Sequence, residues 1–160
     1  MDLIEEIVTD WSIQRPDIDC SSKEIVGRML RFYSHYLSTA ERALKKLNMA
    51  PNVFSVLVTI RRKGIDAEIN VKDIIPGVLI TSGAMSNLIT RLINTGLVTK
   101  RQDTLDARAM LVKLTPKGLK QIDEAMVIQA ACERKLTQAL SPSERKQLAV
   151  LLKKMQVEDY

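Results

Sequence analysis

Apolar residues recur at helical spacing along most of this chain, and the spacing drops to two only once. Leu3, Ile4, Ile7, Val8 and Trp11 gather on one side of a short amphipathic helix predicted over residues 2–12, which Arg15-Pro16-Asp17 breaks. In Ser21-Ser22-Lys23-Glu24 a serine lies three residues before a glutamate, the pattern of a capping box, so a long helix should run on to about Leu47. Ile25, Met29, Phe32, Tyr33, Tyr36, Leu37, Ala40 and Leu44 form its apolar stripe. Pro51 fits the first turn of a further helix that buries Phe54, Leu57 and Ile60 and ends at Gly64. Asn70 can cap a short helix burying Ile74 and Ile75, cut off by Pro76-Gly77. Thr81 or Ser82 caps the next, which Gly96 terminates.

The period then changes. Val98, Lys100 and Gln102 alternate with Leu97, Thr99 and Arg101; beyond a polar tip at Asp103–Arg108, Met110, Val112 and Leu114 alternate with Ala109, Leu111 and Lys113. That is a β-hairpin with a long charged loop. Thr115-Pro116 opens another helix, to about Ala139, and Ser141-Pro142-Ser143-Glu144 opens a terminal one carrying Leu148, Leu151, Leu152 and Met155. The expected fold is mainly α with a small β-hairpin wing: a winged helix-turn-helix over 48–114, with helical regions 1–47 and 115–160 on either side.

Charge sharpens the picture. The 160 residues carry a net +5, but residues 1–20 hold six acids and one base, a net of −5, which leaves +10 on the rest. A body that basic suits a polyanionic partner. No apolar run approaches the roughly 18 residues of a membrane span. The acidic opening Met1-Asp2-Leu3-Ile4-Glu5-Glu6 does not resemble a signal peptide, so a cytoplasmic protein without membrane contact is expected.

Function concentrates in the helix after Thr81. With Ser82 at 0° and about 100° per residue, Met85, Ile89 and Leu92 fall at about 300°, 340° and 280°, a compact apolar stripe. Gly83, Ser86, Asn87, Thr90 and Asn94 fall between about 40° and 140°, flanked by Arg91 at about 180°. Small residues let a helix approach base edges; Asn bonds adenine bidentately, Ser and Thr are permissive, and Arg suits guanine or phosphate. An ordinary solvated helix would carry Glu and Lys, whereas no acid occurs between Thr81 and Gln102. Ser82, Ser86, Asn87, Thr90 and Arg91 are therefore the candidate residues of a recognition helix. On the hairpin, Lys100 and Arg101 are placed to meet phosphates. Arg108 can enter a minor groove, with Asp106 holding either it or Arg91 in position. The other account of that tip is an exposed turn with a surface ion pair.

These residues resemble the MarR family of bacterial transcriptional regulators. The matching stretch is Thr81-Ser82-Gly83-Ala84-Met85-Ser86-Asn87, Arg91-Leu92, Gly96-Leu97-Val98, Asp106-x-Arg108, and Val112-x-Leu114-Thr115-Pro116-x-Gly118. The resemblance implies a homodimeric regulator of double-stranded DNA, usually a repressor, with the recognition helix in the major groove and the wing in the adjacent minor groove. The apolar stripes over 21–47 and 115–156 agree, being too long for one small domain to cover. Two recognition helices about one DNA turn apart would read a palindrome.

Trp11-x-x-x-Arg15-Pro16-Asp17 is similar to a subgroup with an added first helix, several members of which sense urate or related aromatic compounds. There a tryptophan closes the pocket, together with an acid and an arginine near the recognition helix. The arginine that commonly follows the recognition-helix asparagine is Leu88 here, which cannot pair with an anion, and Pro76 departs from the usual helix. Trp11, Tyr33 and Tyr36 are candidates for a pocket taking a small aromatic or anionic effector, or else packing residues.

Cys20 precedes a helix N-terminus, where a thiolate can be stabilised, and Cys132 lies on the helix opened by Pro116. Peroxide-sensing relatives pair two such cysteines across subunits, but Asp17, Asp19 and Glu24 disfavour a thiolate at Cys20. The alternatives are a redox-sensing repressor and two ordinary cysteines. The single histidine, His35, reads as a surface polar residue. Without a Ser/His/Asp set, paired carboxylates, a phosphate-cradling loop or a metal cluster, neither catalysis nor a cofactor is expected. A third possibility is a protein-interaction module that keeps the winged shape without reading DNA, for which an exposed Leu88 and the uncharged face would speak.

Overall fold

A computed structural model describes residues 2–78, 81–106 and 108–155. The chain falls into two compact units, one through Ala40 and one from Glu41. In the first, α1 spans Leu3–Gln14 and α2 begins at Lys23 and extends to Lys45. Asp2 caps α1: its carboxylate accepts from the Ile4 and Glu5 amides at 2.8 and 3.1 Å, and Glu5 returns the bond to the Asp2 amide at 3.0 Å. Ile4 is buried over Gly27, where a Cβ would lie 2.9 Å from the isoleucine Cδ1. Arg28 ties the two helices through Asp2 and Glu5.

The expected Ser21–Glu24 capping box is replaced at the start of α2. Asp19 lies closer in sequence and its carboxylate takes the Ser21 amide at 2.9 Å, while the Glu24 amide donates to the Ser21 carbonyl. Along α2 of this unit, Ile25, Val26, Met29, Leu30, Phe32, Tyr33 and Leu37 are exposed.

The second unit holds one core. α3 (Pro51–Arg61) opens on its proline and buries Val56, Leu57 and Ile60 completely; Gly64, at φ +136°, turns the chain after it. A strand unforeseen in the sequence, β1 (Glu68–Asn70), precedes α4 (Val71–Ile74), which Asn70 caps through the Lys72 amide. Three residues are too few for alternation to register. A 3₁₀ turn at Ile75–Gly77 follows. α5 (Ser82–Asn94) is capped by Thr81 rather than Ser82, and Gly96 at φ +70° ends it. β2 (Val98–Gln102) and β3 (Met110–Leu114) make the predicted hairpin, and β1 adds to its far side, giving the antiparallel order β1-β3-β2. Ile69, Val98, Val112 and Leu114 face the core with Leu57, Ile60, Ile74 and Met85.

Then come α6 (Pro116–Leu136) and α7 (Pro142–Lys154), the latter opened by the predicted Ser141–Glu144 box. Ile122 and Ala125 of α6 belong to the same core cluster as residues of α3, α5 and the sheet. The seam is specific. The Thr115 amide donates to the Leu97 carbonyl at 3.1 Å, and its hydroxyl donates to Gly96 and accepts from the Gly118 amide at 3.0 Å. A Cβ on Gly118 would stand 2.0 Å from the Leu97 carbonyl oxygen, so only glycine permits this approach. Along α7, Leu148, Val150, Leu151 and Leu152 are exposed.

Gly118→Ala should therefore lower stability by about 3 kcal/mol, the cost of overpacking against backbone that cannot yield, as urea unfolding would measure. An unchanged midpoint would show the seam to be slack.

Candidate nucleic-acid interface

α5 divides as its spacing predicts. Met85, Ile89 and Leu92 are buried, whereas Gly83, Ser86, Asn87, Thr90, Arg91 and Asn94 are exposed. The side chain of Ser82 lies outside the described residues. Leu88 corrects an expectation: it is only 4 % exposed and belongs to the core. Its position at about 240° widens the apolar stripe beside Leu92 instead of interrupting the polar face. The Thr90 hydroxyl donates to the Ser86 carbonyl at 3.0 Å, which leaves its oxygen able to accept. No acidic side chain occurs from Thr81 to Gln102, so the exposed face of α5 has no carboxylate of its own to repel a phosphate.

The wing is built on two aspartate turns. Asp103 accepts the Leu105 amide and Asp106 accepts the Arg108 amide, each at 2.9 Å. Main-chain bonds from Asp103 to Ala109 and from Ala109 to Asp106 close the loop. Ala107 itself lies outside the described residues. Asp106 thus meets Arg108 at its backbone amide: a short carboxylate closes a two-residue turn before it can reach a guanidinium. Among the described residues no ion pair involves Arg91, Lys100 or Arg108, and all three are exposed.

Arg101 departs from its expected role. Its Nε donates to Glu68 Oε1 at 2.9 Å and a terminal nitrogen meets Glu68 Oε2, so the guanidinium is turned back across the sheet instead of outward to phosphate. Adjacent strand residues project to opposite faces, and Lys100 and Arg101 are adjacent, so they do not share a surface. Nothing in the sequence announced Glu68, because its partner is set by the unforeseen strand β1.

The candidate effector residues are not gathered in the same way. Trp11 is 43 % exposed, with the Lys23 amine 6.0 Å from its ring centre. Tyr33 is exposed and Tyr36 half-buried. A cleft of about 300 Å³ in the first unit is lined by Val8, Ser12, Ile18, Cys20 and neighbours, without any of these three aromatics. Cys20 is buried, Cys132 is half-buried, and both are free thiols; His35 is exposed. Two hollows beside α5 were not anticipated. One, of about 340 Å³, joins Asn52 of α3 to Asn87 and Arg91. The other, of about 550 Å³, brings apolar Val53, Leu92 and Leu97 together with Arg91, Lys117 and Gln121. Only the folded chain brings residues so far apart in sequence to one place.

A capped helix with a small, acid-free exposed face, beside a braced cationic hairpin, defines a winged-helix DNA-binding protein. Residues 51–118 match the family described as a winged helix DNA-binding domain. The chain is 24% identical over 149 residues to the HTH-type transcriptional regulator PecS of Dickeya dadantii, spanning 93% of this chain and 90% of that protein. It is 29% identical over 140 residues to YkoM of Bacillus subtilis, an uncharacterized HTH-type transcriptional regulator, spanning 83% and 89% of the two chains. Its fold matches that of a cysteine-to-serine mutant of Escherichia coli MarR complexed with operator DNA, with a TM-score of 0.71, 24% identity, and 98% and 100% of the two chains covered. The chain thus contains a winged helix DNA-binding domain and is similar over most of its length to MarR-like transcriptional regulators.

The Glu68 carboxyl is held below its ordinary value of 4.5, chiefly by the Arg101 hydrogen bonds. A depressed value means that the pair stabilises the fold above that ordinary value and that this support is lost as pH falls through the lowered one. An NMR titration should place the Glu68 midpoint below 4.5, and Arg101→Gln should return it towards that value. Identical midpoints in the two proteins would show the pair to be absent in solution.

Proposed function

We propose that the protein works as a homodimer whose two α5 helices read the half-sites of a palindromic operator, and that it represses transcription by occupying that site. The observation that carries this is the division of α5: four apolar residues buried, and Ser86, Asn87, Thr90 and Arg91 presented on a surface without acids. Asn87 and Thr90 would address base edges, Arg91 guanine or phosphate, and Arg108 the minor groove. Ser82, at the start of the helix, and Lys100, on the wing, would add contacts to the backbone. Dimerisation is supported by the apolar residues exposed on α2 and α7, Phe32, Leu37, Leu148 and Leu151 among them, a pattern that a second copy would cover. In this division of labour residues 48–114 contact DNA, and 1–47 with 115–160 hold the partner.

On this reading the protein acts by binding alone, in the cytoplasm, where its operator lies. An effector, small and aromatic or anionic, would act by favouring a spacing of the two α5 helices that fits DNA less well. The cavity holding Arg91, Lys117 and Gln121 over an apolar floor suits such a molecule. PecS and MarR are regulators by name, and MarR is seen with its operator, which supports the assignment by likeness. Among the described residues no helix is long and apolar enough to cross a membrane. With Leu88 buried, the protein-interaction alternative loses one of the two features behind it.

Titration with duplexes covering the promoter of its own gene tests this. Asn87→Ala should cost about 1–3 kcal/mol and relax sequence preference at one position of each half-site. Arg108→Ala should weaken binding and flatten the salt dependence by about one charge per wing. Salt-insensitive binding, or no preference over random duplex, would overturn the proposal.

A further inference from the structure

Arg101 looks like a phosphate contact in the sequence and is held by Glu68 in the fold. The geometry is that of a brace. β1 pairs with β3 only at Glu68–Lys113, Ile69–Val112 and Asn70–Leu111, whereas β2 pairs with β3 out to Gln102–Met110. From Leu111 outward the hairpin therefore projects as a two-stranded arm with Arg108 at its tip. Arg101 stands opposite Leu111, at the point where β1 ends. Its side chain crosses β3 diagonally to Glu68, linking the two outer strands of the sheet on the face opposite Val112. A second terminal nitrogen of Arg101 donates to the Gln102 carbonyl at 3.1 Å, so the guanidinium grips the arm at its root as well. On the same face Lys113 pairs with Asp66 at 3.0 Å, tying β3 to the segment before β1.

We propose that Glu68 and Arg101 are positioning residues which set the angle of the wing, and that Arg101 assists DNA binding through this brace and not by contacting phosphate. The inference rests on the reading of the wing as a DNA-contacting arm. A bidentate guanidinium–carboxylate pair has the one geometry in which a surface ion pair resists bending, since two parallel bonds fix direction as well as distance. An isolated two-stranded ribbon is otherwise compliant. The brace would hold Arg108 at a constant reach, so that its insertion requires no reordering of the arm.

The test uses the full-length protein and a labelled duplex that the wild type selects from a random library, with affinity followed over a salt series. Glu68→Gln and Arg101→Gln should each weaken binding about threefold to fivefold, the range a surface pair supports, with an unchanged salt slope. Arg108→Ala, as reference, should reduce the slope. The charge-exchanged double variant, Glu68→Arg with Arg101→Glu, should recover most of the loss. Amide exchange at Asp103 and Ala109, within the wing loop, should quicken in both single variants and slow again in the exchanged pair. If Arg101→Gln lowers the salt slope while Glu68→Gln binds as well as wild type or better, Arg101 is a phosphate contact and the brace is refuted. If affinity and exchange are untouched in both, the pair has no role in the wing. If the wild type selects no duplex at all, the DNA-reading function itself falls, and the brace has nothing to position.

Discussion

The exposed polar face of α5 depends on how that helix is seated. Met85, Leu88, Ile89 and Leu92 belong to the core that also holds residues of α3 and the sheet, and their burial leaves the helix a single orientation. Rotating it by one residue would bring Asn87 or Ser86 into an apolar interior without partners, a cost of several kcal/mol that hydrophobic packing could not offset. The exposed face is thus a consequence of the buried one. Ser86, Asn87, Thr90 and Asn94 accordingly lie outside the apolar core.

The wing is governed by different physics. The hairpin tip between Gln102 and Met110 has little apolar surface to bury, so its order comes from hydrogen bonds that the loop makes to itself. Asp103 and Asp106 close successive turns with their carboxylates. Both carboxylates are thereby engaged with the backbone of the loop itself. At the other end, Thr115 and Gly118 lock the return strand and α6 against Leu97 so closely that a side chain on Gly118 has no room. Arm and platform are held by different devices, polar bonds in one and steric exclusion in the other.

Periodicity and punctuation account for most of what was legible beforehand. The helices α4 to α7 appear where apolar spacing and a side-chain cap coincide, from the Asn70 cap of α4 to the Ser141 box of α7. The hairpin emerges from a clean change of period. What escaped were features without local signal. β1 is a strand only because β3 offers it an edge, and the Glu68–Arg101 pair follows from that strand. Leu88 looked like a gap in a polar face because a wheel drawn from a single helix does not show how wide the partner surface is. At Ser21 two acids competed for one amide, and the nearer, Asp19, prevailed.

Residue spacing by itself determined the order of the helices and the hairpin, the polar face of α5, the cationic wing and the likeness to MarR regulators, because those depend on neighbours within one or two turns of chain. Tertiary structure decided which cations are presented and which are held, how far the core extends into α6, and which distant residues meet around Arg91. Such outcomes turn on contacts between segments far apart in the chain, as from Glu68 to Arg101, and no local pattern encodes which of several charges will be within reach.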